Sequence, residues 1–132
     1  MKITYKTDVT PDIDDIIEVY RSSGINRPIE DKIRINRMYS QSNLIITAWH
    51  NAKLVGISRS LTDFCYCCYL SDLAVALDYQ NQGIGKNLIA LTKETIGEQT
   101  TLILLAAPEA INYYPKVGFD KIENGFIIKR TL

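Results

Sequence analysis

Polar and apolar residues alternate along residues 2–6, in the period of two expected of a half-buried strand. The period then changes. Ile13, Ile16, Ile17 and Tyr20 recur at i, i+3, i+4 and i+7 and line one face of a helix. Thr10 offers an N-cap for that helix, Pro11 suits its first position, and Asp12, Asp14 and Asp15 favour the positive end of its dipole. Ser22-Ser23-Gly24 ends it. After a short polar linker through Arg27-Pro28, a second, less amphipathic helix is expected over about residues 29–39. Leu44 to Trp49 and Lys53 to Leu61 are β-rich runs joined by His50-Asn51-Ala52, which reads as a hairpin with His50 in a solvated turn.

Cys67 to Val75 is an apolar, β-prone run of strand length. Tyr79 to Gly85 is polar and carries two glycines, and Ile84, Leu88 and Leu91 then begin a helix reaching about residue 97. Thr101 to Ala106 is continuously apolar, as expected of a buried strand. Strand, helix and strand in that order make a βαβ unit with parallel strands. Pro108 permits a helical turn or two over Ala110 to Tyr114, and Phe126 to Lys129 reads as a last strand. The order predicts an α/β fold, a mixed central sheet flanked by helices.

At 132 residues the chain suits a single domain, 1–132. An apolar fraction of 46% with 23% charged residues is ordinary for a globular protein. Fifteen basic and fifteen acidic residues cancel, which argues against nucleic acid as a partner. No run is long and apolar enough for a membrane span and no signal-peptide core opens the chain, so a cytoplasmic location is expected. Cys65, Cys67 and Cys68 crowd one predicted strand, His50 is the lone histidine, and no second ligand cluster accompanies them. Reduced, buried or half-buried thiols are expected there, and no metal.

The chemistry lies in the glycine loop. Backbone N–H groups at a helix N-terminus make a site for a phosphate or pyrophosphate, and glycine lets the backbone approach the anion. The P-loop pattern fails because Gly85-Lys86 is followed by Asn87, and the dinucleotide fingerprint fails because Leu88 stands at its last glycine. Gln80-Asn81-Gln82-Gly83-Ile84-Gly85 does resemble the Gln/Arg-x-x-Gly-x-Gly/Ala acyl-CoA loop of the GNAT superfamily of N-acyltransferases, preceded by Leu73-Ala74-Val75 where that family has its LxV strand. Residues 110–119, with Ala110, Tyr113-Tyr114, Lys116 and Gly118-Phe119, look like the family's AxxFYxKxGF segment. Two positions depart from it: Ala107 stands where an Asn often contacts pantetheine, and Pro115 follows the tyrosine. The element order also matches, and Leu54 through Asp63 and Ser23-Gly24 through Pro28 are, more loosely, similar to small bacterial members and to the plant plastid branch.

The resemblance implies an acetyl-CoA-dependent N-acetyltransferase. Its acceptor would be a small-molecule amine or a protein lysine, attacking directly in a ternary complex. Leu73, Ala74 and Val75 would run beside pantetheine, with the Leu73 N–H polarising the thioester, and residues 80–86, Gln80 through Gly85 and Lys86, would hold the pyrophosphate; Lys86 reads equally as a solvated surface lysine. Tyr114 is the candidate general acid, with packing against pantetheine as its other reading; Tyr113 is expected to face the core. Asp72 is the candidate base, with a structural hydrogen bond as its other reading, and Glu18 and Tyr69 are weaker candidates. The amine pocket would be walled by the first two helices, their linker and the Arg59–Asp63 end of the hairpin. A non-catalytic acyl-CoA-binding or sensing module is the competing function, and a homodimer is a possible assembly.

Overall fold

The computed structural model describes residues 1–132. Five strands, β1 (Thr4–Lys6), β2 (Leu44–His50), β3 (Lys53–Thr62), β4 (Cys67–Val75) and β5 (Thr101–Ile103), form one sheet in the order β1-β2-β3-β4-β5. All neighbours are antiparallel except β4 and β5, which are parallel across the crossover helix α3 (Ile84–Ile96). The expected mixed sheet flanked by helices is therefore observed.

Helices α1 (Ile13–Ser23) and α2 (Lys32–Ser40) cover one face of the sheet. Ile16, Ile17 and Tyr20 of α1 pack with Ile35 and Tyr39 of α2 on Ile45, Leu54, Ile57 and Ala74. Helix α3 covers the other face, where Ile84, Leu88 and Ile96 meet Leu44, Ile46, Ala48 and Val55. Burial on both faces explains why the middle of β3 is apolar or small without alternation. Gly56 is where α3 comes closest: a Cβ there would stand 3.1 Å from Ile84 Cγ2 and 3.3 Å from both Ala48 Cβ and Leu88 Cδ1. Gly56→Val is expected to overpack this contact, costing about 1–3 kcal/mol and displacing the first turn of α3; urea unfolding measures the cost. A loss under about 0.5 kcal/mol would mean that α3 moves off freely.

Several sequence expectations shift. Helix α1 begins at Ile13, because Pro11 is buried in the approach to it and Asp12 takes the N-cap position. Helix α2 starts late, where the Asp31 side chain accepts the Arg34 N–H at 3.0 Å. His50 is not a solvated turn residue: it ends β2, half-buried, with Nδ1 2.7 Å from the Tyr79 hydroxyl. Of the cysteines only Cys68 is buried; Cys65 precedes β4 and both it and Cys67 are exposed.

The C-terminal part differs most. Strand β5 stops at Ile103, so residues 104–106 leave the sheet. Short 3-10 turns at Pro108–Ala110 and Tyr114–Val117 replace the expected helix, consistent with Pro115 denying a longer one. Phe126 to Lys129 is not a strand. Its side chains stand free, Phe126 at 99% and Ile128 at 100% exposure, and no backbone–backbone hydrogen bond is made beyond that of Phe119 N–H to the Tyr114 carbonyl. A β-prone pattern predicts a strand only where a partner edge is supplied.

Candidate active site

Only Cys67, Cys68 and Tyr69 of β4 pair with β5, through Thr101, Leu102 and Ile103. Beyond Tyr69 the two strands part, and a groove of about 930 Å³ opens between them. Leu73, Ala74 and Val75 line one wall, residues 104–107 the other, and Tyr114 closes the end. The linker after α1, with Arg27, and the side chain of Arg59 from β3 complete it; the Leu61–Asp63 end of the hairpin, which the sequence reading placed in the amine pocket, does not line it.

Strand geometry assigns the backbone groups on this wall. Ala76 N–H donates to Val55 O of β3 at 2.8 Å, so residues 72, 74 and 76 turn their polar groups toward β3. Residues 71, 73 and 75 turn theirs toward the groove. Ser71 O is taken by Arg27 Nη2 at 2.7 Å and Val75 O by Gln80 Nε2 at 2.9 Å. The N–H and C=O of Leu73 remain free on the groove wall.

The glycine loop continues from this strand. Its Gln80 is tied back to the end of β4, Asn81 has φ +62°, and Gly83 has φ +84° at the N-cap of α3. Asparagine tolerates that left-handed conformation and glycine adopts it without strain. No backbone N–H from residue 81 to residue 86 donates within the protein; the first amide of the helix ladder is Asn87 N–H, to Gly83 O at 3.0 Å. Such a run of free donors at a helix N-terminus is an anion cradle. Lys86 is exposed and unpaired on the first turn. Ile84 is different: it is buried and anchors α3, so only its amide is available to a ligand.

Tyr114 is half-buried, its ring edge-on to Tyr113 (centroids 5.3 Å apart) and to Phe119 (5.5 Å). Burial, then the proximity of Tyr113, push its hydroxyl above the ordinary tyrosine value, against a smaller opposing pull from Arg27. It stays protonated at neutral pH. Tyr113 does not face the core: it is 37% exposed, and its hydroxyl lies 3.2 Å from where a Cβ on Gly85 would be.

Asp72 is fully buried beneath the groove. It accepts from Arg27 Nε at 2.7 Å, Arg59 Nε at 2.8 Å, the Tyr20 hydroxyl at 2.6 Å and Ser71 Oγ at 3.1 Å, and Tyr20 in turn bonds the Tyr39 hydroxyl. Burial alone would raise its pKa; the hydrogen bond and charge of Arg59, with Tyr20 and Arg27, outweigh it and hold the carboxyl below the usual range. Burial, reinforced by neighbouring charge, raises Tyr20, and burial raises Tyr39, so both phenols are neutral. Glu18 is outside the groove, paired with Arg21 at 2.8 Å, whereas Tyr69 lines it. Sequence reasoning missed Arg27 and treated Arg59 only as part of a wall. The signal was present: a carboxylate and a guanidinium inside two apolar strands need each other, and Arg59 and Asp72 are direct cross-strand partners.

Residues 18–129 match the Acetyltransferase (GNAT) domain family. The chain belongs to the GNAT acetyltransferases. It is 30% identical over 104 residues to an uncharacterized N-acetyltransferase ycf52 of Pyropia yezoensis, covering 76% of this chain and 60% of that protein. The GCN5-related N-acetyltransferase 2, chloroplastic, of Arabidopsis thaliana is 31% identical over 78 residues, 55% of this chain and 29% of that one. The chain thus spans less than two thirds of these curated relatives. Among solved GNAT-fold structures, a probable acetyltransferase of unknown function from meticillin-resistant Staphylococcus aureus superposes with a TM-score of 0.82 at 21% identity, covering 98% of this chain and 100% of that one. A GNAT family protein of Streptococcus pneumoniae follows at 0.75 and 23%, over 98% and 99%. The expected small bacterial type is not singled out, since the similar curated sequences are algal and chloroplast proteins.

Proposed function

We propose that the groove takes acetyl-CoA and that the protein transfers its acetyl group to a primary amine by direct attack in a ternary complex. The observation that carries this reading is the open edge of β4, where the free Leu73 amide lies on the groove wall and the chain runs on through Gln80 into the loop whose amides, residues 81–86, are unpartnered. The loop holds the pyrophosphate, Leu73 to Val75 flank the pantetheine arm, and Lys86 is available to the same phosphates. Leu73 N–H polarises the thioester carbonyl as charge develops on its oxygen. The C–N bond forms, the C–S bond breaks, and the Tyr114 hydroxyl gives its proton to the departing thiolate.

Asp72 is assigned a different role from the base anticipated in the sequence. A carboxylate held by two guanidinium groups and a phenol is a weak proton acceptor, and it orients Arg27 and Arg59 instead. The amine enters neutral and loses its second proton to water after attack. An alkylamine is only about 0.1% neutral at pH 7, but partial desolvation beside the cationic Arg27 raises that fraction. Free-thiol release from acetyl-CoA, dependent on an added primary amine, tests the reading. Tight CoA binding with no amine-dependent thiol release would favour the sensing module.

A further inference from the structure

The Asp72 cluster carries an unbalanced charge. Arg27 and Arg59 share one carboxylate, and the tyrosines that complete the cluster are neutral. Arg59 donates from Nη1 to Ser42 Oγ at 3.0 Å and from Nη2 to Ser71 Oγ at 2.9 Å, but its side chain is only 9% exposed, so its remaining hydrogens are shut off from a ligand. Arg27 is within reach of one. Its side chain is 27% exposed at the groove, and its Nη1 and Nη2 donate one bond each, to Asn26 O and Ser71 O at 2.7 Å. Each terminal nitrogen carries two hydrogens, so one donor on each is left over. Arg34 and Arg130 also line the groove, and neither has an ion-pair partner.

Resting on the acetyltransferase reading above, we propose that the acceptor is a small amino acid whose carboxylate is bound by Arg27, with Arg34 on the rim contributing to its capture. A guanidinium with spare donors fits a planar carboxylate better than an ammonium or a neutral amine. The strand fixes the spacing. Ser71, whose carbonyl holds Arg27, and Leu73, whose amide faces the acyl carbonyl, are two residues apart on the same edge, ~7 Å along β4. Carboxylate and attacking nitrogen must therefore lie a few bonds apart, as in an α-, β- or γ-amino acid. A lysine side chain within a protein has no carboxylate at that distance, and a polycationic acceptor is repelled by the same arginines.

The test uses matched triples: an amino acid, its amide and its decarboxylated amine, with thiol release and product mass as readouts and rates corrected for the neutral amine fraction at each pH. The acid of at least one triple should exceed its amide in kcat/KM by tenfold or more. Arg27→Gln should raise KM for the acid by about tenfold more than it raises KM for the amide, and Arg27→Lys should restore part of that difference. Arg34→Gln, at an exposed residue with no side-chain hydrogen bond, gives a smaller loss in the same direction without risk to the fold. Equal use of acid and amide, turnover of amides or protein lysines only, or no turnover of any triple overturns the proposal. Calorimetric binding of acetyl-CoA to the same preparation separates the failures. If it binds and uncharged amines are acetylated, only the carboxylate site falls; if it does not bind, the acetyltransferase reading falls too.

Discussion

Replacing Asp72 with alanine is expected to cost about 3–5 kcal/mol of folding stability, a drop in Tm on the order of 10–20 °C. The loss is large because the carboxylate is fully buried and two guanidinium groups converge on it. Removing it leaves those cations facing one another beneath the groove, with the Tyr20 hydroxyl deprived of its acceptor. Asp72 also joins three parts of the molecule: Arg27 from the linker after α1, Arg59 from β3, and Tyr20 from α1. Acid should act in the same direction. The folded pKa of Asp72 is depressed, so its contribution is fully present above the unfolded value near ~3.9 and is lost as pH falls through the lower folded value. Asp63 adds to this acid limb, its carboxylate held down by the N–H groups of Cys65, Tyr66 and Cys67. Denaturant unfolding between pH 6 and pH 2 should therefore fall more steeply for the wild type than for Asp72→Asn, the difference isolating Asp72. Parallel curves, or an alanine variant within about 1 kcal/mol of the wild type, would mean that the cluster is solvated and soft.

Replacing Tyr114 with phenylalanine is expected to lower kcat by about 10²–10⁴ with little change in KM for acetyl-CoA. The ring keeps its edge contacts with Tyr113 and Phe119, so the groove wall survives and only the proton donor is lost. Its raised pKa gives a second signature. An acid titrating above the usual tyrosine value of ~10 stays neutral and keeps its proton across the assay range, so kcat should show no falling limb below about pH 10. Unchanged turnover in the phenylalanine variant would reduce Tyr114 to a packing surface and leave the thiolate to take its proton from water.

The elements with a self-contained signal were legible in the sequence. β4 was read with its observed ends because Cys67 to Val75 is apolar and is punctuated by the polar glycine loop, and α3 was read from its i, i+4, i+7 spacing. The glycine loop was legible for the same local reason: its free backbone amides and its left-handed turn at Asn81 and Gly83 follow from the local sequence. Elements that depend on a distant partner were not. β5 ends after three residues, although its apolar run continues through residue 106, because β4 turns its edge toward the groove rather than toward a partner. Phe126 to Lys129 has strand composition and no edge to join. The arginine cluster was hidden for a third reason. Arg27, Arg59 and Asp72 lie far apart in sequence, and Asp72 beside Leu73-Ala74-Val75 reads as a free base until the register sets Arg59 opposite it.

The most direct measurement is the thermal stability of the purified protein with acetyl-CoA, CoA, ATP or NAD at equal concentration. A ligand at ~100 times its dissociation constant stabilises by about 2.7 kcal/mol, several degrees for a chain of this size. Acetyl-CoA and CoA should each raise Tm by that amount, with ATP and NAD leaving it nearly unchanged. A shift with ATP or NAD alone, or with none of the four, would contradict an acyl-CoA groove beside β4.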